Sequence, residues 1–274
     1  MPVLLAALGA LLMSLDSAIN IVLPAMAEAF GVAPGAIRWV IICYVLTYAL
    51  TAFAAGLLAD RLGPGPVFSA GLWICGFAFL GYLVAHSYAM VLLLRVLQGL
   101  GGGLVYGTAP ALVTLSLPRE RPGRGLGVMS LGLGVGLGVG PMLGGVLLDA
   151  FGWSSTFLFR APLFLAAAVL AQTRLRALGG APSLPRRIEL ADVLRVPVLR
   201  SAALAFLSNH AQFSVWLLVP FYLVGPRALS PTVGGLVFTL TPLANAVAAP
   251  VGGAATDRIG PGVPLGVALG LGLW

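Results

Sequence analysis

The sequence has no lysine: all 15 of its basic residues are arginine, against 8 acids, and charged residues make up only 8% of its 274 positions. Soluble domains carry about 25% charged residues. A chain this poor in charge lacks the polar surface that water requires, which excludes a soluble globular domain. A hydrophobic share of 59% excludes disorder, which needs low hydrophobicity. There are two histidines, His86 and His210, far apart, and two cysteines, Cys43 and Cys75, both inside apolar runs. That set offers no cluster at metal-ligand spacing, so neither a metal, a cofactor nor an intramembrane enzyme is expected. The cysteines read as small buried hydrophobes. The missing lysine, beside abundant Ala, Gly and Arg, is a compositional habit without a mechanism of its own.

What is present points to a polytopic membrane protein. Gly numbers 37, and Gly is commoner in membrane helices than in soluble ones. Apolar runs long enough to cross a bilayer, about 20 residues each, cover 3–24, 36–58, 66–85, 88–115, 126–148, 154–172, 199–223 and 232–255, and a ninth begins near 263. The connectors are short and hold the helix breakers, as in Gly63-Pro64-Gly65-Pro66 and in 118–125 and 226–231. Ala25-Met26-Ala27 has the look of a signal cleavage site. Against cleavage, no basic residue precedes the first run and Asp16 lies inside it.

The net charge of +7 would suggest nucleic acid in a soluble protein. Here the arginines fall between apolar runs and orient the chain in its bilayer, and no nucleic-acid partner is expected. With a cytoplasmic N-terminus, eleven arginines lie inside (Arg61, Arg119, Arg121, Arg124, Arg174, Arg176, Arg186, Arg187, Arg195, Arg200, Arg258) and two outside (Arg38, Arg227). That asymmetry sets the topology. Arg95 and Arg160 are left within the membrane. The expected organisation is a six-helix bundle over 1–172, a cytoplasmic linker over 173–198, and part of a second bundle over 199–274.

Two connectors repeat each other. Gly56-Leu57-Leu58-Ala59-Asp60-Arg61-Leu62-Gly63-Pro64-Gly65 matches Gly253-Ala254-Ala255-Thr256-Asp257-Arg258-Ile259-Gly260-Pro261-Gly262 at an offset of 197 residues. Both follow an even-numbered helix at its cytoplasmic end. A duplicated six-helix unit accounts for this. Two units would need about 390 residues, scaling from the offset, so the expectation is a complete first bundle with a truncated second one, helices seven, eight and the start of nine.

On these residues the chain resembles the major facilitator superfamily. The Gly-x-x-x-Asp-Arg-x-Gly connector is joined by three further stretches. Leu15 to Pro24 in helix one is similar to a motif of multidrug–proton antiporters. Arg95-Val96-Leu97-Gln98-Gly99 in helix four resembles the family's Arg-x-x-Gln-Gly, and Gly136 to Gly145 in helix five resembles the antiporter sequence Gly-x-x-x-Gly-Pro-x-x-Gly-Gly. The resemblance implies an all-α membrane protein that moves a small-molecule substrate by alternating access. It further implies proton-coupled export of drugs or metabolites on a twelve-helix plan, a cell (inner) membrane location, and a monomer when full length. An uptake symporter of the same superfamily and a non-transporting truncated fragment are the alternatives. Two departures stand out. Pro64-Gly65-Pro66 replaces the basic residues that usually continue the helix 2–3 loop, and Arg160 occupies a place where helix six often carries Asn.

Three ionisable residues fall at one depth. Asp16 lies about 20 Å from the cytoplasmic side, and Arg95 and Arg160 about 10 Å from the outer side, at about 1.5 Å per residue. Ionisable groups at such depth face a cavity or a partner. A nearby guanidinium favours the charged carboxylate, and burial favours the neutral acid. The triad therefore reads either as a proton-coupling site or as a permanent structural ion pair. One acid against two arginines leaves surplus positive charge, which would favour anionic or neutral substrates. Asn20, Gln98, Tyr106, Asn209 and Gln212 are candidates to line a substrate pathway, each with an ordinary interhelical hydrogen bond as the alternative. His210 beside Asn209 reads as packing or as a proton relay. Gly132, Gly136, Gly140 and Gly144 form one bare ridge and Gly134 and Gly138 a second on the opposite face, so helix five can approach two neighbours closely. Pro141 bends it. Asp60-Arg61, with Gly63, and Asp257-Arg258 read as a latch between bundles or as simple helix ends. Trp39, Trp153 and Tyr222 read as interface anchors.

Overall fold

The computed structural model describes residues 1–117, 122–175 and 231–260, with isolated positions between 196 and 267; at 231–239, 241, Pro34 and Pro122 it describes the backbone alone. Among the described residues the chain is helical throughout. Helix α1 (Pro2–Ser14) passes through a 3₁₀ turn (Leu15–Ala18) into α2 (Ile19–Phe30). Then follow α3 (Pro34–Ile37), α4 (Trp39–Leu62), α5 (Pro64–Leu80), α6 (Tyr88–Leu115), α7 (Pro122–Phe151), α8 (Ser155–Leu158), α9 (Arg160–Leu175) and α10 (Pro231–Ile259). Among the described residues, six spans are long and apolar enough to cross a membrane: Pro2–Phe30, Gly35–Leu62, Pro64–Val84, Tyr88–Leu115, Gly123–Phe151 and Ser155–Leu175. Most of helix seven, nearly all of the linker and most of the ninth run lie outside the described residues.

The helices overrun the apolar runs at most ends, because hydropathy marks the part in contact with hydrocarbon while backbone hydrogen bonding continues to a stop signal. Four of those stops are glycines with positive φ: Gly31 (60°), Gly63 (85°), Gly152 (79°) and Gly260 (78°). A left-handed residue carries no Cβ penalty only when it is glycine. After Gly63, Pro64 opens α5, where its fixed φ suits the first helical turn and its missing N–H costs nothing. Gly63 and Gly260 hold equivalent places in the two repeated connectors, and both stop their helices with a positive φ.

Packing is backbone-close where glycine permits it. On α6, Gly99, Gly103 and Gly107 lie against α4: a methyl group added at Gly103 would meet Ala52 N and Tyr48 O at 2.7 Å. On another face of α6, Gly101 meets Gly71 of α5. The core between the helices is apolar and aromatic, with Val22, Met26, Val40, Phe68, Leu72, Phe157 and Phe164 all buried. Leu5 through Met26 contribute to it, so the first span is an integral member of the bundle. The Trp153 ring packs against Phe30, Tyr82 and Phe157. Trp39 stays about half exposed, and Tyr222 lies outside the described residues.

Helix α7 has two working faces. Gly132 lies over Ala7, Gly136 over Leu11 and Ser14, Gly140 over Ser17, and Gly144 over Ala18, so α7 runs parallel to the first span. Gly123 lies over Gly253, Gly127 over Ala249 and Pro250, and Gly134 over Ala246 and Pro242, so α7 runs antiparallel to α10. Both ridges are in use, and the second extends toward the helix N-terminus through Gly127 and Gly123.

Candidate functional site

The first span is interrupted where its acid sits. Asp16 lies in the 3₁₀ turn Leu15–Ala18, between two α-helical stretches. A short 3₁₀ piece inside a long helix often marks a hinge or a sequence under strain. Here it brings one carboxylate toward two other helices.

Arg95 of α6 reaches across and binds it with both arms: Nη1 donates to Oδ1 at 2.9 Å and Nη2 to Oδ2 at 2.8 Å. This fork-to-fork pairing gives the strongest geometry available to a carboxylate and a guanidinium. The remaining donor of the fork, Nε, gives its proton to the Val40 carbonyl at 2.8 Å, and Nη1 also donates to Gln98 Oε1 at 2.8 Å. Arg95 and Gln98 are three residues apart on one helix, hence on one face. The Tyr44 ring covers the guanidinium at 4.3 Å, a cation–π contact.

Arg160, at the first position of α9, comes from the other side. Its Nη1 donates to Asp16 Oδ1 at 2.8 Å and its Nε to the Thr156 carbonyl at 3.1 Å. The Phe79 ring lies 4.4 Å from its guanidinium carbon and the Phe157 ring 5.3 Å. Both arginines are fully buried, while the Asp16 side chain keeps 14% of its surface exposed. Three helices that share one depth in the sequence thus meet at one carboxylate. Burying a charge is costly unless it is paired and hydrogen-bonded, and Asp16 receives three such bonds.

The other candidate residues divide. Gln98 belongs to the site, as the acceptor for Arg95. Tyr106 packs edge-on against Tyr48 at 5.3 Å, and Tyr48 stacks on Tyr44 at 6.1 Å, so a row of tyrosines leads away from the arginine. Asn20 is exposed, with Nδ2 donating to Ser17 O at 3.3 Å. Asn209, His210 and Gln212 lie outside the described residues. Tyr44, Phe79, Phe157 and the Val40 carbonyl were not singled out in the sequence. Tyr44 and Tyr48, one turn apart on α4, were the only signal that could have found part of this shell.

A second assembly lies at the end of α10. Asp257 Oδ1 accepts the backbone N–H of Gly123 at 2.7 Å, and Oδ2 accepts that of Arg124 at 2.8 Å. The first N–H groups of a helix have no partner within it and carry partial positive charge. Asp257, at the unfavourable C-terminal end of its own helix, is placed at the favourable N-terminal end of α7. Arg258 is exposed, as are Asp60 and Arg61 at the end of α4. Pro141 lies inside α7. Between α7 and α10 is a cavity of about 390 Å³ with Ser130 on one wall and Asn245 on the other.

The sequence profile of the Major Facilitator Superfamily matches residues 5–273. The chain belongs to that superfamily. Among curated relatives, it is 23% identical to the riboflavin transporter RibZ of Clostridioides difficile, over 92% of this chain and 67% of that protein. It is 32% identical to the methylenomycin A resistance protein of Bacillus subtilis, over 74% of this chain and 42% of the relative. It is also 32% identical to the tetracenomycin C resistance and export protein of Streptomyces glaucescens, over 61% of this chain and 32% of the relative. The chain thus spans only part of each of these proteins. The human organic anion transporter MFSD10 has the same fold, with a TM-score of 0.71, 23% identity, and coverage of 95% of this chain and 72% of that one. The superfamily and these relatives are transporters rather than enzymes, and the chain is a multi-pass membrane protein with their all-α fold.

Proposed function

We propose that this superfamily member acts in proton-coupled efflux of drugs or small metabolites by alternating access. The observation that carries the reading is the single carboxylate of Asp16 held by Arg95 and Arg160 at 2.8–2.9 Å within a tightened 3₁₀ turn of the first span. Protonation of Asp16 would remove the charge that draws three helices together, and deprotonation would restore it. A proton taken up on one side then biases which arrangement of the bundle is favoured, as coupling requires. The 14% exposure of Asp16 gives the proton a route while the arginines stay shielded.

Export rather than uptake is supported by the Gly136–Gly145 sequence in α7 and by the names of two relatives, which record resistance and export. The Asp257 contact with α7, together with the close approach of Gly123 to Gly253, draws α7 and α10 together at the end that the arginine distribution places in the cytoplasm. This arrangement suits a cytoplasm-closed, outward-facing state, with Asp257 as the latch, in a cell membrane with the N-terminus inside.

The test is drug-dye accumulation in inside-out membrane vesicles with an imposed pH gradient. Asp16→Asn keeps the shape of the side chain and removes its proton chemistry. The expected result is loss of gradient-driven accumulation with dye binding retained. Gradient-driven accumulation at the unsubstituted rate would overturn the coupling role.

A further inference from the structure

The charges at the Asp16 site do not balance. Arginine stays protonated in proteins, so two guanidiniums against one carboxylate leave one positive charge over. Of the other acids among the described residues, Asp257 caps α7, Asp60 ends α4, and neither Glu28 nor Asp149 forms an ion pair with Arg95 or Arg160. Asp16 is the only acid found on either arginine there.

Four buried side-chain atoms have no hydrogen-bond partner among the described residues: the hydroxyls of Tyr82 and Thr156, which can donate or accept, and two nitrogens, which only donate. Arg160 Nη2 is fully buried and has no hydrogen-bond partner among the described residues, and the same holds for Gln98 Nε2. Both groups are donors only. Both side chains are about 99% buried and line one small cavity of about 10 Å³, which also touches Asp16, Tyr44, Cys75 and Phe79. That is about the room taken by one water-sized sphere. The Phe79 ring covers the face of the Arg160 guanidinium, which leaves its N–H edge as the polar surface it presents.

We propose that this cavity binds one monatomic anion, chloride under cellular conditions, as the missing counter-ion of the arginine pair. A water molecule would satisfy the donors but leave the charge. A carboxylate ligand, sulfate or any organic anion exceeds the space. A halide is somewhat wider than a water molecule and needs the lining side chains to give slightly, but it accepts hydrogen bonds from several donors at once and neutralises the surplus. The anion and the Asp16 carboxylate repel each other across the cavity, so the halide binds more tightly when Asp16 carries no charge. Drug efflux and halide binding would then share one site without sharing a ligand.

The experiment reads binding alone and so stands apart from the coupling role of Asp16. The purified chain in detergent is melted across a titration of sodium chloride or bromide, with gluconate making up a constant ionic strength. A ligand held only by the folded state raises the melting temperature with the logarithm of its concentration once that exceeds Kd. The expected result is such a rise with either halide, fitted by a single Kd, and none with gluconate alone. Asp16→Asn should lower the fitted halide Kd at least tenfold, and Arg160→Gln should abolish the rise. Superimposed halide and gluconate curves in both the unsubstituted and Asp16→Asn proteins would overturn the proposal, as would an unchanged Kd in Arg160→Gln. If Arg160→Gln does not fold, bromide-soaked crystals of the unsubstituted chain decide the matter. An anomalous peak within hydrogen-bonding distance of Arg160 Nη2 supports the site, and its absence there overturns it.

Discussion

Asp257 and Gly123, separated by 134 positions in sequence, are joined by a carboxylate-to-backbone hydrogen bond of 2.7 Å. The bond ties the last turn of α10 to the first turn of α7. Asp257→Asn keeps an acceptor and loses the charge that the helix N-terminus favours, a change of about 1 kcal/mol. Such a change shifts a two-state equilibrium about fivefold. A cysteine placed at Ser130, on the wall of the cavity between α7 and α10, should therefore react faster with a membrane-impermeant thiol reagent applied from the cytoplasmic side. Unchanged labelling would show that the contact does not hold the two helices together.

Arg95 uses all three of its guanidinium nitrogens, on Asp16, Gln98 and the Val40 carbonyl. Lysine offers one compact ammonium group and cannot reproduce the fork. Removing one partner of a buried ion pair costs about 3–5 kcal/mol, and Arg95→Ala should lie in that range. Arg95→Lys should recover only part of the loss in thermal unfolding, because the charge returns without the bidentate geometry.

Gly144 and Gly145 are neighbours with opposite surroundings. A methyl group at Gly144 would meet the Ala18 carbonyl oxygen at 2.9 Å, whereas nothing lies within 4 Å of one at Gly145. Overpacking against backbone costs about 1–3 kcal/mol. Gly144→Ala should lower the melting temperature measurably and Gly145→Ala should leave it unchanged or raise it slightly through helix propensity. Equal effects from the two substitutions would contradict the packing of α7 on the first span.

Gly63 has φ 85° and ψ 151°, a region open essentially to glycine alone. Gly63→Ala should destabilise the junction of α4 and α5 by about 1–3 kcal/mol. Gly35→Ala, where the space is open and no positive φ occurs, serves as the control. Unfolding of both variants in the same detergent checks the difference.

Much of this architecture is legible in the sequence because the bilayer reduces the problem to one dimension. Apolar length placed the spans, and depth counted along each span placed Asp16, Arg95 and Arg160 at one level. The glycine spacing of α7 showed two bare faces, though nothing in that spacing says which face meets the first span and which meets α10. What depth does not reveal is rotation about the helix axis. Tyr44 over Arg95, Phe79 over Arg160 and the Val40 carbonyl under Nε all depend on the angular setting of α4, α5 and α6, which a run of apolar residues on every side of the helix leaves unmarked. The 3₁₀ turn at Leu15–Ala18 was hidden for a similar reason. Its residues carry no breaker that would mark the change from α to 3₁₀ winding.

The glycine faces of α7 have a mechanical consequence. Interdigitated side chains act like gear teeth, and one helix can shift past another only after each tooth changes rotamer. Bare backbone on both sides of α7 presents no teeth to the first span or to α10. Movement between those surfaces then meets little friction along its length, and the brake is concentrated in the few polar clasps at its margins.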